Sequence, residues 1–509
     1  MALFLQWLIE AFKPLLPFAS IFIAALLMKF VLKKNQRKKN LPPSPKTLPI
    51  IGNLHQVGIH NPHIALHSQA QKYGPIMFLQ LGEIPTVVIS SARLAKEVLK
   101  THDLVLASRP QLFSAKYLFY DCSDIAFAPY GAYWRNVRKL CILELLSAKR
   151  VLSFSYVREE EVARLVSRIA ESSSSGITNV SKIVGLYAND VLCRVALGRD
   201  FSQGGEYDQH GFQKMLDDYQ ALLGGFSLGD YFPSMEFVHS LTGMKRRLLH
   251  TFRRFDEFFD EVIKEHQNSE GKQEERKDLV DVLLDIQKNG SSDMPLTMDN
   301  IKAVILDMFA AGTDTTFITL DWAMTELIMN PTAMAKAQAE IQNIVGERRV
   351  VLESDLPKLN YMKAIIKEVF RLHPPVPVLL PRESMEDVII DGYDIPAKTR
   401  IYVNAWAMGR DPEVWENPEI FKPERFMGSS IDFKGQEFEL IPFGAGRRSC
   451  PAITFGIATV ELALAQLLHS FDWELPPGVK AQDIDNTEAF GISMHRVVPL
   501  HAIAKSHFL

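Results

Sequence analysis

The chain has 509 residues, of which 47% are hydrophobic and 23% are charged, and its formal net charge is −4 at pH 7. This length exceeds what one small core supports, and the composition is that of a folded protein. The small net charge gives no indication of nucleic-acid binding, and four widely spaced cysteines argue against a disulfide scaffold or a zinc site.

The N-terminal segment differs from the rest of the chain. Residues 15–32 are apolar apart from Ser20 and Lys29, and about 20 such residues span a bilayer core. A basic cluster follows over residues 33–39, and basic flanks stay on the cytosolic side. A cleaved signal peptide, the alternative, would carry its basic residues before the apolar run. The pattern therefore predicts a single membrane anchor over residues 1–32.

Three prolines close together follow the basic cluster, in the stretch 41–45. Proline lacks a backbone N–H group and prefers extended backbone, so this stretch predicts a semi-rigid spacer. The sequence thus divides into an anchor (1–32), a basic and proline-rich hinge (33–47) and one large cytosolic domain (48–509).

Helical periodicity dominates the large domain, with two short β regions. Residues 76–81 and 86–90 are rich in β-branched and apolar residues and predict a hairpin. A second pair is predicted between residues 388–390 and 400–403, with Asp391-Gly392 as the turn. The expected fold is mostly α with small β sheets.

Residues 298–330 predict one helix of about 50 Å, long enough to cross the domain. In its middle lies the run 310–316, Ala-Ala-Gly-Thr-Asp-Thr-Thr. Glycine and short polar side chains weaken a helix interior, so this run has a reason other than helix stability. Close packing against another helix is one explanation, and a functional groove is the other.

One cysteine has an unusual setting. Cys450 is the second-last residue of the glycine- and arginine-rich stretch 442–451, and an apolar helical pattern over residues 452–471 follows directly. A thiolate at a helix N-terminus is stabilised by the helix dipole and by free backbone N–H groups. Cys122, Cys141 and Cys193 have no such setting and are expected to be buried as small hydrophobic residues.

The pattern Phe-x-x-Gly-x-Arg-x-Cys over residues 443–450 resembles the haem-thiolate loop of the cytochrome P450 superfamily. Upstream, Glu368-x-x-Arg371 and Pro-Glu-Arg-Phe at 423–426 occur in the order typical of that family. The stretches 48–55, 127–131 and 229–233 are similar to plant microsomal members of the A-type, family 71 clan. The resemblance extends from about Pro42 to the C-terminus and implies the cytochrome P450 fold.

The resemblance also implies roles for single residues. Cys450 would be the axial ligand of haem b iron, in a cofactor-binding loop with Phe443, Gly444 and Gly446. The haem propionates would be bound by Trp134, Arg138, Arg382 and Arg448, since arginine pairs bidentately with carboxylates. Thr315 and Asp314 would handle dioxygen and deliver protons. Glu368, Arg371 and Arg425 would form a buried structural brace.

Substrate-pocket candidates by the same resemblance are apolar: Phe113, Phe119, Ala311, Val376, Leu380, Phe490 and Ile492. One position departs from the family pattern, because Ala452 stands where glycine is usual. Alanine adds a single methyl group, and we expect a small local adjustment with haem retained.

The implied function is an NADPH- and O2-dependent monooxygenase of the endoplasmic reticulum membrane. It would hydroxylate or otherwise oxidise a lipophilic plant specialised metabolite, with a terpenoid or alkaloid favoured. The sequence predicts no flavin domain, so NADPH-cytochrome P450 reductase would supply the electrons, and cytochrome b5 is a second candidate partner. A reductase-independent haem-thiolate isomerase or dehydratase and a membrane-tethered haem-binding protein without turnover are the alternatives. The Asp314-Thr315 pair disfavours both.

Overall fold

The computed structural model describes residues 39–58, 61–174, 176–200, 209–224, 227–268, 277–290, 295–489 and 491–508. The predicted anchor and the first part of the predicted hinge, residues 33–38, lie outside the described residues.

Nine short strands in the described residues form three sheets. They are β1 (Ile76–Leu81), β2 (Ile84–Ile89), β3 (Thr178–Asn179), β4 (Arg382–Glu383), β5 (Val388–Ile390), β6 (Tyr393–Ile395), β7 (Arg400–Val403), β8 (Phe471–Glu474) and β9 (His501–Ser506). The strand orders are β1-β2-β7-β4, β3-β9-β8 and β5-β6.

Helices make up most of the domain. In the N-terminal half they are α1 (Leu54–Val57), α2 (Pro62–Tyr73), α3 (Ala92–Lys96), α4 (Phe113–Leu118), α5 (Ala132–Leu140), α6 (Ala148–Ser153), α7 (Ser155–Ser173), α8 (Val180–Leu197), α9 (Gln209–Gly224), α10 (Leu228–Tyr231) and α11 (Val238–Leu241). In the C-terminal half they are α12 (Met244–Asn268), α13 (Leu279–Asn289), α14 (Met298–Met329), α15 (Pro331–Val345), α16 (Asn360–Leu372), α17 (Ala405–Met408) and α18 (Ile453–Ser470). The prediction of a mostly α fold with small sheets is confirmed.

The long central helix α14 begins and ends at local sequence signals. Thr297 accepts a hydrogen bond from the Asn300 N–H, and the Asn300 side chain accepts one from the Thr297 N–H, which forms a capping box. Pro331 then begins the next helix. Because α14 packs on α8, α16 and α18, it holds the residues of its middle turn at the centre of the domain.

The first predicted hairpin is confirmed, since β1 and β2 pair antiparallel with Ile76 opposite Ile89. The second predicted pairing is wrong. Residues 388–390 pair with β6, directly after the turn, and β7 instead lies parallel to β2. The turn explains this result, because Asp391 and Gly392 both have positive φ (50° and 79°). A two-residue turn of that kind reverses the chain direction, so β5 pairs with β6, the strand that follows directly.

Among the described residues, α14 and α18 are long and apolar enough to cross a bilayer. However, 72% and 67% of their most apolar windows are buried inside the domain. Both helices are part of the main hydrophobic core, and each contributes residues to the wall of the central cavity.

Candidate functional site: a thiol and arginine cavity

A cavity of about 280 Å³ lies where α14, the chain after α16 and the loop before α18 meet. Cys450, Phe443 and Gly444 contribute the loop side of its wall, and Ala311 and Thr315 of α14 contribute another part. The sequence-predicted thiol and the polar run of the central helix therefore border the same space.

The loop that carries Cys450 is folded tightly on itself. The Cys450 N–H donates to the Phe443 carbonyl (2.9 Å), and the Ala452 N–H donates to the Cys450 sulfur. Burial raises the pKa of the Cys450 thiol, while the Ala452 N–H and the nearby Arg138 lower it. A metal ion at this sulfur would favour the thiolate outright.

Ala452, the departure from the family pattern, lies directly before α18 with φ −102°. Alanine adopts a negative φ without difficulty, so the extra methyl group does not distort the loop backbone.

Gly446 allows the loop to approach the rest of the domain. Its φ is +71°, and a Cβ atom there would lie 2.1 Å from the Leu99 carbonyl oxygen. One residue later, the Arg447 N–H donates to Asp103 Oδ2 (2.9 Å). The glycine is therefore required both by its left-handed backbone and by the contact with the Leu99–Asp103 segment.

Four arginines line the cavity: Arg109, Arg138, Arg382 and Arg448. Most of their hydrogen bonds go to backbone carbonyl groups. Arg448 donates to the carbonyls of Ala107 (2.7 Å) and Ala128 (2.6 Å), and Arg138 donates to that of Ser449 (2.6 Å). Among the described residues, Arg382 alone of the four has a short ion pair, with Asp103 (2.6 Å).

The positive charges of these buried arginines repel one another, which destabilises the charged form of each guanidinium group. Burial lowers the pKa of Arg448 to about 9, and the charges of Arg382 and Arg138 add to this effect. Burial and the charges of Arg448 and Arg382 likewise hold the pKa of Arg109 well below its usual range. A bound anion with two carboxylates would relieve this repulsion, since guanidinium groups pair bidentately with carboxylates.

Trp134 lies behind these arginines and is outside the cavity wall. Its indole N–H donates to the Ile125 carbonyl (3.0 Å), and the Arg448 guanidinium lies over its ring at 4.0 Å from the centroid. In this arrangement Trp134 supports Arg448 through a cation–π contact.

The middle turn of α14 carries the predicted oxygen-handling residues. The Thr315 hydroxyl borders the cavity and donates to the Ala311 carbonyl (2.8 Å). Asp314 is not part of the wall, and its carboxylate accepts a hydrogen bond from the Ser493 hydroxyl. The two residues thus connect the cavity with the chain around Ser493.

The structure brings the predicted brace together. Both carboxylate oxygens of Glu368 accept from Arg371 at 2.8 Å, and one also accepts from Arg425 at 3.0 Å. Arg371 and Glu368 are fully buried, and Arg371 also donates to the carbonyls of Gly409 and Pro418. The brace therefore ties α16 to the chain that leads to the Cys450 loop.

The predicted pocket residues divide into two groups. Ala311, Val376 and Leu380 line the cavity. The structure does not bring the others that it describes to the wall: Phe113 stacks on His239 (4.2 Å), Phe119 packs on Phe127 (5.4 Å), and Ile492 packs against the main core. Phe490 lies outside the described residues.

Sequence reasoning missed Arg109 and Asp103. Arg109 donates to the carbonyls of Ala126, Leu380 and Pro381 and so fixes the cavity edge. A signal was present, because Arg109 is the only charged residue in the otherwise apolar or uncharged stretch 104–113.

The residues present fit a haem. The cavity joins a thiol whose loop donates to its sulfur, four arginines that repel one another, and a mostly apolar wall. A flat apolar ring with a metal centre and two carboxylates matches each of these three features. Cys450 would hold the iron, and the arginines would hold the carboxylates.

Comparisons with known proteins agree with this geometry. The cytochrome P450 family model matches residues 42–500. Cytochrome P450 71AP13 of Prunus mume is 72% identical over 485 residues, covering 95% of this chain and 94% of that protein.

Two other plant relatives have names that state a reaction. Premnaspirodiene oxygenase of Hyoscyamus muticus is 47% identical (95% of this chain, 97% of that protein). Strychnine-11-hydroxylase of Strychnos nux-vomica is 45% identical (97% and 98%). A solved zebrafish cytochrome P450 with progesterone has a TM-score of 0.75 at 26% identity, covering 87% of this chain and 99% of that one. The chain therefore belongs to the cytochrome P450 family of haem monooxygenases, within the plant family 71 group.

Proposed function

We propose that this monooxygenase uses NADPH and O2 to hydroxylate or otherwise oxidise a lipophilic plant specialised metabolite. The observation that carries the proposal is a single cavity bordered by Cys450, Thr315 and a mostly apolar wall. Such a space holds a cofactor and an apolar substrate together and excludes bulk water.

We favour a terpenoid or an alkaloid as the substrate. The wall residues Val376, Leu379 and Leu380 are apolar, and the neighbouring Arg109 and Arg382 are already held by the Leu380 carbonyl and by Asp103. The relatives named for oxidation of premnaspirodiene and strychnine support the same range.

Haem bound through Cys450 would supply the activation of dioxygen. The chain's own contribution is proton delivery and positioning. The Thr315 hydroxyl borders the cavity and can exchange its bond to the Ala311 carbonyl for one to a cavity ligand. The Asp314 carboxylate, held by the Ser493 hydroxyl, can pass protons from the chain around Ser493 towards Thr315.

Electrons would come from NADPH-cytochrome P450 reductase, with cytochrome b5 as a second donor. Residues 1–32 would anchor the protein in the endoplasmic reticulum membrane as a single span, with the domain from residue 48 in the cytosol. The apolar run 15–32 and the basic residues after it support this arrangement.

The test is a reconstitution of the full chain with haem, the reductase and a panel of terpenoids and alkaloids. We expect NADPH-dependent products that carry one atom from isotope-labelled O2. Binding of panel members is screened first through the haem spin-state change.

The alternatives give different results in the same experiment. A haem-thiolate isomerase or dehydratase would convert a peroxide substrate without NADPH or reductase. A haem-binding protein without turnover would bind ligands and form no product. Either result would overturn the proposal.

A further inference from the structure

A pair of buried carboxyl groups lies beside the cavity, and one of them, Asp307, is part of its wall. Asp124 lies in the loop before α5, and Asp307 lies in α14, with exposed fractions of 0% and 7%. The two carboxyl groups lie within hydrogen-bonding range of each other. An ionised carboxylate only accepts hydrogen bonds, so a bond between two carboxyl groups needs a proton on one of them.

A second observation supports this proton. Oδ1 of Asp124 is buried and, within the part of the chain that the structure describes, meets no N–H or hydroxyl donor. A buried carboxylate oxygen without a donor is costly, and protonation of the pair removes that cost.

The pair holds the backbone of residues 124–128, which we name the arginine-support loop. The Ile125 N–H donates to Asp307 Oδ2 (2.5 Å), and the Phe127 N–H donates to Asp124 Oδ2 (2.9 Å). The first bond ties the loop backbone to α14, and the second stabilises the loop internally.

The carbonyl side of the same loop holds the cavity arginines. Arg448 donates to the carbonyls of Ile125 (3.1 Å) and Ala128 (2.6 Å), and Arg109 donates to that of Ala126 (2.9 Å). The arginine-support loop therefore lies between the carboxyl pair and the guanidinium groups suited to the haem carboxylates.

We propose that Asp124 and Asp307 share a proton and, in that form, position Arg109 and Arg448 to bind the haem carboxylates. Loss of the shared proton places two negative charges side by side, pushes the loop away from α14 and weakens haem binding. Both aspartates act as positioning residues through the arginine-support loop.

The electrostatics of the pair agree with this geometry. Burial raises the pKa of Asp124 to about 7, and burial together with the Asp124 charge raises the pKa of Asp307 well above its usual range. The cations that act on the pair are Arg448 and Arg109, and the other titratable groups around it are weak acids: Cys122, Tyr133, Cys141 and Tyr219.

The direction of the pH dependence follows. Both pKa values lie above those of an unfolded chain, so the pair's stabilising contribution is complete below about pH 4. It decreases as the pH rises through about 7 and is lost once both carboxyl groups are ionised. Haem retention should therefore fall towards alkaline pH.

The test measures the rate of haem transfer from the full-length holoprotein to excess apomyoglobin between about pH 6 and about pH 10. We expect the wild-type rate to rise roughly tenfold, which corresponds to about one pKa unit of coupling. In Asp124→Asn the amide N–H replaces the shared proton, so the rate should stay low and nearly independent of pH.

Asp321→Asn is the matched control. Asp321 lies on the same helix, is equally buried, has a pKa raised by burial and accepts from Ser181 instead of the loop. This variant should keep the wild-type pH profile. A wild-type profile in Asp124→Asn and Asp307→Asn would overturn the proposal.

A second measurement applies if an asparagine variant fails to retain haem. Infrared spectra of the wild-type holoprotein at neutral pH should contain the carbonyl band of a protonated carboxylic acid that disappears at alkaline pH. The same band should be absent from Asp307→Asn and present in Asp321→Asn. A band that is unaffected by Asp307→Asn would contradict a shared proton at this site.

Discussion

Thr315 and Cys450 border the same cavity although 135 positions separate them in the chain. Each is fixed by short contacts: Thr315 by the Ala311 carbonyl of its own helix, and Cys450 by the Phe443 carbonyl and the Ala452 N–H. At the scale of single residues, the account assigns proton handling to Thr315 and metal binding to Cys450.

Thr315→Ala tests the first of these roles. Removing the hydroxyl removes a proton donor from the cavity wall, so product formed per NADPH should fall by at least about tenfold while peroxide rises. The measurement is the ratio of product to NADPH and peroxide in the reconstituted system. Thr315→Ser keeps a hydroxyl and should retain most of the coupling. Unchanged coupling in Thr315→Ala would show that the assigned role is wrong.

Sequence reasoning at this scale succeeded where the signal was local. Cys450, Phe443 and Gly444 belong to one short motif, and the structure places all three on the cavity wall. It failed for contacts between distant parts of the chain. Arg109 reaches the Leu380 carbonyl 271 positions away, and Ser493 reaches Asp314 across 179 positions. Neither contact leaves a pattern that can be read along the sequence.

The elements that support the site are α16, the Cys450 loop and the four-stranded sheet. The boundaries of α14 were predictable to about one residue because the capping residue Thr297 and the proline after the helix are local signals. The position of β7 in the sheet was not predictable. Its partner β2 lies far earlier in the chain, and the side chains of β7 do not specify which strand it joins.

Glu368→Gln tests the brace. The substitution leaves Arg371 and Arg425 buried without their carboxylate, and we expect a loss of about 3–5 kcal/mol of stability together with loss of haem. Denaturant unfolding and the haem-to-protein ratio measure both effects.

A surface ion pair provides the control for the brace. Lys505 and Glu474 pair at 2.5 Å, but both side chains are more than half exposed. Lys505→Ala should therefore change the stability by less than about 1 kcal/mol and leave haem content unchanged. Normal haem loading in Glu368→Gln would refute the structural role of the brace.

Gly446→Ala tests the close approach of the Cys450 loop to the Leu99–Asp103 segment. The left-handed backbone costs of order 1–3 kcal/mol for alanine, and the clash with the Leu99 carbonyl adds to it. Gly290 has a similar φ of +61°, and a new Cβ there would have no atom within 4 Å. The loss of stability in Gly290→Ala therefore measures the cost of the left-handed backbone alone. Equal losses of thermal stability in the two variants would argue against a packing role for Gly446.

At the scale of the whole molecule, the proposal is a cytosolic domain held at a membrane by its N-terminal segment. Deletion of residues 1–32 should move the protein from the membrane fraction to the soluble fraction in high salt. Its haem content should not change, because the residues proposed to hold haem lie in the described domain. Sedimentation and the absorbance of bound haem measure the two outcomes, with the full chain as the control. A truncated protein that stays entirely with the membranes would contradict the anchor.

The central claim is that Cys450 binds haem iron as a thiolate. The carbon monoxide difference spectrum of the reduced full-length protein tests it most directly, because the position of the main haem band distinguishes thiolate from imidazole ligation. We expect the red-shifted band of a thiolate-ligated haem in the wild type and in Cys193→Ala, and its loss in Cys450→Ser. An imidazole-type band in the wild type, or an unchanged band in Cys450→Ser, would contradict it.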